Sequence, residues 1–420
     1  MRSDKVFGIA WCALNLLRNC PPIFAVYALM MQSHGLTPVD ISLLFILWSL
    51  SALVFEVPSG AVSDRMDRRA VLMLSSFIPS VVFLLWYWQP TLAGYAAGFL
   101  LWGFAGSLWS GTAEAYLFER LAAMGAAERF QEFYGLGSAS AQVGIALALF
   151  TGGWVSTHGD AVTVWSSAAV AALVGLAIPL CFGRAPQALR APSALAETPS
   201  AARLRATGIA GSGNTEVTPT RDVAFSPVRA AMREFRQNTA VRQAALAIGV
   251  GLAFYSCFEE YLPLLFDAAG LNPAMMGVWY GACYAARALA MASVGRLPGL
   301  ARRFPPLWSL VVSGLLLAVG GMFGTPGLIV GCMLYFALNG IAEVCIVNDL
   351  QHQQRGDARA TVMSLARLGI LAAQPAVYMG IGWLATIGTW ISTLWFVAAG
   401  TTITAALLLG RRQVRAPGTG

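Results

Sequence analysis

Long apolar segments alternate with short polar connections along the whole chain. Each segment is about 20 residues long, which is the length of an α-helix that crosses a bilayer. The pattern predicts twelve transmembrane spans, six on each side of a polar insert. The predicted spans are 6–32, 40–63, 70–88, 95–118, 133–157, 161–183, 240–266, 275–295, 307–324, 327–350, 361–385 and 389–409.

The Lys and Arg residues outside these spans all lie on one side of the predicted membrane. That side holds Arg2 and Lys5, the central insert, and Arg411 and Arg412 at the C-terminal end. Cytoplasmic connections of membrane proteins carry an excess of Lys and Arg. The sequence therefore predicts a multi-pass protein of the cell inner membrane with both termini in the cytoplasm. Its net charge of +7 then needs no nucleic-acid partner.

The two halves of the chain repeat each other. The tetrapeptide Gly-Leu-Thr-Pro at 35–38 returns as Gly-Leu-Asn-Pro at 270–273. Such a repeat indicates two similar halves of six helices each. The predicted domains are an N-terminal half (1–183), a cytoplasmic linker (184–239), a C-terminal half (240–410) and a cytoplasmic tail (411–420).

The linker between the halves is rich in Ala, Pro, Ser and Thr, and its first part shows no sustained periodicity, which predicts disorder. Its end differs, because Ser226 and Pro227 can start a helix that places Val228, Met232 and Phe235 on one face. We expect this amphipathic helix to lie on the anionic inner leaflet. A merely solvated basic stretch is the alternative.

Composition excludes several classes of protein. The chain is 57% hydrophobic and 11% charged, whereas soluble domains carry about 25% charged residues. The only lysine is Lys5, so a phosphate loop ending in Gly-Lys-Ser/Thr is impossible. The seven Cys lie in apolar segments without metal-ligand spacing, and the three His lie at connections or span ends. We therefore expect no enzyme activity, no cofactor and no metal site.

A run of charge separates the second and third spans, and reads Gly60-Ala-Val-Ser-Asp64-Arg65-Met-Asp67-Arg68-Arg69. We expect it to form a cytoplasmic hinge loop at the membrane boundary. The pattern Gly-x-x-x-Asp-Arg-x-x-Arg-Arg resembles the signature loop of the major facilitator superfamily of secondary transporters. The resemblance implies an all-α integral membrane protein with twelve transmembrane helices in two six-helix halves. It also implies a gating role for this loop, with Asp64 contacting the start of the eleventh span.

Some segments depart from particular branches of that family. The fourth span has no Arg where proton-coupled drug pumps generally carry one, and Ala148 and Leu149 stand where the antiporter motif has Gly-Pro. Asp67 replaces the glycine usual in the signature loop. These departures count against a drug antiporter, whereas 55–60 (Phe-Glu-Val-Pro-Ser-Gly) and 110–115 (Ser-Gly-Thr-Ala-Glu-Ala) resemble a bacterial branch that contains many exporters.

Ionisable residues inside the spans cost about 3 kcal/mol each at a helix centre, so each one is a site hypothesis. Arg18 lies about 18 Å from the cytoplasmic edge and Glu56 about 12 Å from it. Arg18 shares a polar stripe with Asn15 and Asn19, and we expect it to contact substrate or a carboxylate in a central cavity. A structural pair between Arg18 and Glu56 is one alternative. A latch between Glu56 and Arg367 is another.

Glu259 and Glu260 are the first candidates for proton coupling, with Glu56 as a further one. Two adjacent carboxylates within about 10 Å of the outer edge are desolvated and repel each other, so they can load and release protons. Glu259 shares a helix face with Tyr255, a candidate cavity residue, and Glu260 shares one with Ser256. At most one of the two is therefore expected to face the cavity. A solvated position at the helix end is the alternative.

Two further helix faces combine polar and aromatic residues. Tyr280, Tyr284 and Arg287 share a face of the eighth span, and Arg367 and Gln374 share a face of the eleventh. We expect these residues to line the substrate cavity, where they suit an amphipathic or anionic ligand. Helix packing around a satisfied Arg is the alternative.

Glu114 and Glu343 occupy equivalent places in the two halves, near the cytoplasmic ends of the fourth and tenth spans. We expect them to form an inner gate with Arg68, Arg129 or Arg359. Contact with substrate is the alternative.

Together these features predict a proton-coupled secondary transporter that moves a small amphipathic organic molecule outward by alternating access. The three membrane Arg residues favour the alternative of an importer or carrier of an organic anion. A non-transporting membrane sensor on the same fold is another alternative. The expected partners are the small-molecule substrate, protons and the lipid bilayer, and we expect a monomer.

Overall fold

The computed structural model describes residues 2–183, 249, 251–296, 306–353 and 359–413. These ranges are helical and contain no strand. The N-terminal helices are α1 (Arg2–Arg18), α2 (Tyr27–Ser33), α3 (Pro38–Arg65), α4 (Arg68–Trp88), α5 (Leu92–Ala123), α6 (Phe130–Ser156) and α7 (Asp160–Cys181). The C-terminal helices are α8 (Leu252–Ala268), α9 (Pro273–Arg296), α10 (Pro306–Gly321), α11 (Gly324–Gln353), α12 (Arg359–Ile387) and α13 (Trp390–Gln413).

The helices match the hydrophobic pattern of the chain. Eight of them are long and apolar enough to cross a membrane within the described ranges, and Pro306–Gly321 is a shorter apolar helix. Because α1 and α2 form one interrupted pass, the described helices make up the twelve passes that the sequence predicts. The interruption itself differs from the sequence prediction, which has one continuous span at 6–32.

The sequence repeat is also a structural repeat. Gly35 and Gly270 both have positive φ angles, of 86° and 83°, which glycine adopts at little cost. Each glycine ends a helix, and the N–H of the following Leu bonds back to a carbonyl, from Leu36 to Met31 and from Leu271 to Phe266. The same turn therefore reverses the chain after the first pass of each half.

The junction of α3 and α4 is shorter than the hinge loop expected from the predicted spans, which leave the six residues 64–69 between them. Helix α3 continues as far as Arg65, and α4 begins at Arg68, so only Met66 and Asp67 lie between them. The Asp67 carboxylate accepts a hydrogen bond of 3.1 Å from the backbone N–H of Arg69 and caps α4. Gly60 therefore belongs to a helix, and the charged run begins within the last turns of α3.

Packing occurs mostly within each half, and two helix pairs make the most extensive contacts between the halves. Helix α4 packs on α5 and α7, and α10 packs on α11 and α13. Between the halves, α3 packs against α12 and α6 against α9. The buried core crosses this boundary, because the Phe45 ring lies 5.3 Å from that of Tyr261 and 5.4 Å from that of Tyr378.

The predicted linker (184–239) and its amphipathic helix lie outside the described residues. So does most of the predicted tail (411–420), although α13 extends into it as far as Gln413. The boundaries of the four predicted segments therefore stay predictions.

Candidate functional site

The first transmembrane pass is interrupted between α1 and α2. Neither Pro21 nor Pro22 has an N–H group to donate to the carbonyl of Arg18, so the helix ends there. The interrupted segment is held from outside, because the N–H of Ile23 donates a 2.9 Å hydrogen bond to Oγ of Ser167 on α7. Non-helical backbone at membrane depth is tolerated where protein buries it or where it lines a cavity.

Replacing Ser167 with Ala is expected to lower the free energy of unfolding by about 1–3 kcal/mol, because the buried N–H of Ile23 loses its acceptor. Ser166→Ala is the matched control, since the Ser166 hydroxyl donates to Thr163 within its own helix. Thermal unfolding of both variants in one detergent measures the difference. Equal stability would contradict the anchoring role of Ser167.

A cavity of about 310 Å³ lies beside the interruption, and it is lined mostly by the N-terminal half, with Glu260 and Tyr280 contributed by the C-terminal half. Its polar lining comes from Arg18, Asn19 and Tyr27 on one side and from Glu260 and Tyr280 on the other. Its apolar wall includes Phe24, Trp48 and Trp102. The volume lies at the lower end of the range of small-molecule sites, about 300–1,000 Å³.

Arg18 enters this cavity without an acidic partner. Its guanidinium carbon lies 4.1 Å from the centre of the Trp109 ring, and its buried Nε has no hydrogen-bond partner. Among the described residues it forms no ion pair, because the Glu56 carboxylate instead accepts from Oγ of Ser110 at 3.3 Å. The alternative of a structural pair between Arg18 and Glu56 is therefore not formed in this structure.

A second cavity of about 330 Å³ lies on the other side of Arg18, nearer the N-terminal end of α1. Its lining includes Asn15 and Glu114, and Arg18 and Asn19 border both cavities. Glu114 is exposed there. The Arg18 side chain thus lines both cavities.

Glu260 joins the two halves. Its carboxylate accepts a hydrogen bond from the Tyr27 hydroxyl of α2, and the next residue, Tyr261, shares a 2.6 Å hydrogen bond with Ser42 of α3. Ser42 lies near the start of α3 and Tyr261 near the end of α8. The halves therefore meet at the end of the bundle remote from the N-terminus of α1.

Glycines bring α6 and α9 together at that same end. A Cβ atom at Gly153 would lie 2.6 Å from Cα of Gly277, so both positions need the smallest residue. Gly135, earlier in α6, has no such neighbour within 4 Å.

Gly153→Val is expected to slow transport about tenfold or more. Overpacking costs about 1–3 kcal/mol, and this cost falls only on conformations in which α6 and α9 touch. Gly135→Val is the control, because the same change in the same helix meets open space. The transport rates of the two variants are compared at equal membrane expression. Equal rates would contradict the close-contact role of Gly153.

Glu259 faces the other way, into the C-terminal half. Its carboxylate accepts a 2.7 Å hydrogen bond from the Tyr284 hydroxyl, and its backbone carbonyl accepts one of 2.7 Å from Tyr280. Arg287 donates to the Glu343 carboxylate and lies 4.3 Å from the centre of the Tyr255 ring. Glu259, Arg287 and Glu343 therefore form one charged cluster, which is here called the α8–α9–α11 cluster.

The described members of the expected inner gate have other partners in this structure. Glu343 pairs with Arg287 inside the C-terminal half and with neither Arg68 nor Arg129, while the side chain of Arg359 lies outside the described residues. Arg68 pairs instead with Glu119 at 2.8 Å. Arg129 pairs with Glu132 at 2.8 Å, one turn further along the chain, and Glu114 has neither as a partner.

The structure describes the side chains of some of the other predicted site residues and not those of the rest. Gln374 donates a 3.2 Å hydrogen bond to Oγ of Ser256, and its buried Oε1 has no partner. The Arg69 guanidinium donates to the carbonyls of Pro179 and Phe182 at the end of α7. The side chains outside the described set are those of Asp64, Arg65, Arg359 and Arg367. The contacts proposed for them stay predictions.

Sequence reasoning missed several residues of the cavity. Tyr27, Trp48 and Trp102 are apolar or aromatic residues within apolar spans, and nothing in the local pattern separates them from lipid-facing neighbours. The available signal was the pair Pro21 and Pro22, because adjacent prolines inside a span predict broken helix and hence a cavity.

Comparison with known proteins agrees with this architecture. A family model described as Major Facilitator Superfamily matches residues 9–373. An uncharacterized MFS-type transporter of Methanocaldococcus jannaschii is 26% identical over 132 residues, which are 31% of this chain and 32% of that protein. This chain thus matches about a third of the length of that relative.

Solved structures share the fold at low sequence identity. The nucleoside transporter NupG superposes with a TM-score of 0.67 at 12% identity, over 97% of this chain and 99% of that one. A bacterial homolog of the human lysosomal transporter Spinster, in an inward-facing and unoccupied conformation, gives 0.70 at 13%, over 97% and 95%. A D-xylose-proton symporter gives 0.65 at 13%, over 96% of each chain. Because the family model matches most of its length, this chain belongs to the major facilitator superfamily.

Proposed function

We propose that this protein is a proton-coupled secondary transporter that moves a small amphipathic organic molecule by alternating access, outward across the cell inner membrane. The observation that carries the proposal is the cavity in which Arg18 and Glu260, from different halves, lie among aromatic side chains. Charged residues within the membrane mark substrate and proton pathways. The aromatic wall supplies the apolar surface that an amphipathic molecule needs.

Alternating access is supported by where the halves touch. They meet through Tyr27 and Glu260 and through Ser42 and Tyr261, at the end remote from the N-terminus of α1. The second cavity, with exposed Glu114, lies toward the opposite end. If both termini are cytoplasmic, as the Lys and Arg distribution favours, this conformation is inward-facing. Separation of the contacts at the far end would open the central cavity to the outside.

Glu260 is the residue we propose for proton coupling, because it borders the central cavity and also holds the opposite half. The form of coupling depends on the charge of the substrate. A cation would compete with the proton for Glu260, which gives exchange of substrate for proton. An anion bound at Arg18 would favour a proton on Glu260, which gives co-transport.

A carrier of organic anions is the second candidate function, and Arg18 is the observation that favours it. Arg287 is neutralised by Glu343 and borders neither cavity described above, so it supplies no free positive charge to a ligand. Arg18 borders both and has no carboxylate partner among the described residues.

The direction of transport is proposed from two sequence segments. The resemblance of 55–60 and 110–115 to bacterial exporters supports outward movement. We also propose that the protein acts as a monomer.

Accumulation of fluorescent cationic, neutral and anionic compounds in pump-deficient bacteria tests the proposal. Lower accumulation in cells that express the protein, abolished by a proton uncoupler, is the expected result and gives the charge class of the substrate. Higher accumulation, or selective movement of anions, would turn the function toward uptake or anion transport. Binding to reconstituted protein without transmembrane flux would support a sensor and overturn transport.

A further inference from the structure

The positive charge of Arg18 is not balanced by any side chain that touches it. Buried charges in proteins are normally paired or hydrogen-bonded, because an isolated ion loses its hydration. Here the guanidinium rests on the Trp109 ring, and its buried Nε donates to no acceptor. The carboxylates that share its cavities, Glu260 and Glu114, each form no ion pair with it among the described residues. An anionic ligand would supply the missing acceptor.

The backbone around Arg18 also keeps this position free for a ligand. Helix α1 ends at Arg18, and neither Pro21 nor Pro22 can continue the backbone hydrogen-bond pattern. Asn19, which borders both cavities, donates a hydrogen bond from its side-chain Nδ2 to the backbone carbonyl oxygen of Asn15, at 2.8 Å. The guanidinium is thus the donor group that remains available at the break in the helix.

Aromatic rings form the neighbouring wall. The Trp48 and Trp102 rings lie 5.4 Å apart at a tilt of 31°, and Phe24 stacks on Trp102 at 5.6 Å. Flat apolar groups pack well on such rings. A cavity of about 310 Å³ has room for one small molecule of this kind.

We propose that the central cavity binds a small organic monoanion with a flat apolar ring system, its anionic group on Arg18 and its rings on Trp48 and Trp102, and that Glu260 takes up a proton as the anion binds. This inference rests on the second candidate function, a carrier of organic anions, and names the ligand class of that carrier.

Charge balance is the reason for the proton. The ionisable groups that face Glu260 are Tyr27 of α2, Tyr280 and Tyr284 of α9 and Tyr378 of α12, together with Cys257, Glu259 and Tyr261 on its own helix. None of these described residues is a cation, so an incoming anion adds a second negative charge to a cavity with one Arg. A proton from water at the open end converts the Glu260 carboxylate to the acid and restores the original net charge. Anion and proton together carry no net charge, so the membrane potential does not drive their joint movement. The direction is set by the concentration gradients of the anion and of the proton combined.

Binding of three matched naphthalene compounds to the full-length protein in detergent tests the inference. The compounds are 2-naphthoate, the neutral 2-naphthamide and the cationic 2-naphthylmethylammonium, which share the ring system and differ in charge. Their Kd values are measured by isothermal titration at pH 6 and pH 8. We expect 2-naphthoate to bind about tenfold or more tightly than the amide, as a charge-assisted hydrogen bond to Arg18 would produce. We also expect its affinity to fall as the pH rises.

Variants locate the effect. Arg18→Gln should bring the affinity for 2-naphthoate close to that for the amide, while Arg18→Lys should keep part of the preference and shows that the site still folds. Arg129→Gln is the control, because Arg129 lies in a pair with Glu132 away from both cavities. Glu260→Gln should remove the pH dependence and give tight binding at pH 8.

Two results would overturn the inference. The first is a 2-naphthoate affinity no higher than that of the amide, including the absence of binding. The second is a preference for the anion that survives Arg18→Gln. Neither result bears on transport itself, since a proton-dependent change in accumulation of cationic or neutral compounds would leave the proposed function standing without this ligand class.

Discussion

Glu260→Gln is expected to remove the dependence of transport on the proton gradient, whereas Glu259→Gln should keep it. The two residues are adjacent in sequence, but Glu260 borders the central cavity and contacts Tyr27, and Glu259 is bound by Tyr284 inside its own half. Only Glu260 can therefore link proton binding to the contact between halves. Gradient-driven transport by Glu260→Gln should fall about tenfold or more, which corresponds to roughly 1.4 kcal/mol of coupling.

Transport measured with and without an imposed pH gradient separates the two variants. Exchange of labelled for unlabelled substrate, which needs no gradient, should survive Glu260→Gln and serves as its folding control. If both variants stay normally coupled, the proton site moves to Glu56, Glu114 or Glu343.

Arg287→Met is expected to abolish transport and to lower the free energy of unfolding by about 3–5 kcal/mol. The change removes the cation of the α8–α9–α11 cluster and leaves Glu259 and Glu343 together without a counter-charge. Breaking a buried ion pair by removing one partner is strongly destabilising, while replacing both partners with apolar residues is often neutral or stabilising.

The double variant Arg287→Met, Glu343→Leu distinguishes structure from function. We expect it to regain thermal stability in detergent but not transport, because the charged cluster and not its volume is needed. Recovery of both stability and transport would show that Arg287 and Glu343 serve only as a structural pair. Stability that stays low in the double variant would contradict the ion-pair explanation of the single one.

The sequence predicted the number and order of the helices well. Burial in lipid forces each span to be apolar and helical, so hydropathy alone defines twelve passes. The turns at Gly35 and Gly270 were also foreseeable, since the repeated tetrapeptide needs positive φ at its first residue. Hydropathy does not predict the break after Arg18, because the two prolines that follow lie inside an otherwise apolar stretch.

The candidate site was less predictable. A helical period places Glu259 and Glu260 about 100° apart, and of the two only Glu260 borders the cavity. The helical period does not indicate which other helix packs against a given residue. Glu343 was therefore assigned to a gate although Arg287 of α9 neutralises it, and Tyr27, which meets Glu260 across the halves, was not recognised. Such partners depend on tertiary packing, which no single helix encodes.

Proton movement in proteoliposomes is the measurement that bears most directly on this function. The purified protein is reconstituted with a pH-sensitive dye inside the vesicles, and a gradient of a compound identified in the accumulation assay is imposed. We expect the substrate gradient to drive a change in internal pH, and we expect Glu260→Gln to move substrate without that change. Substrate flux with no proton movement in the wild-type protein would contradict proton coupling, and binding with no flux would contradict transport.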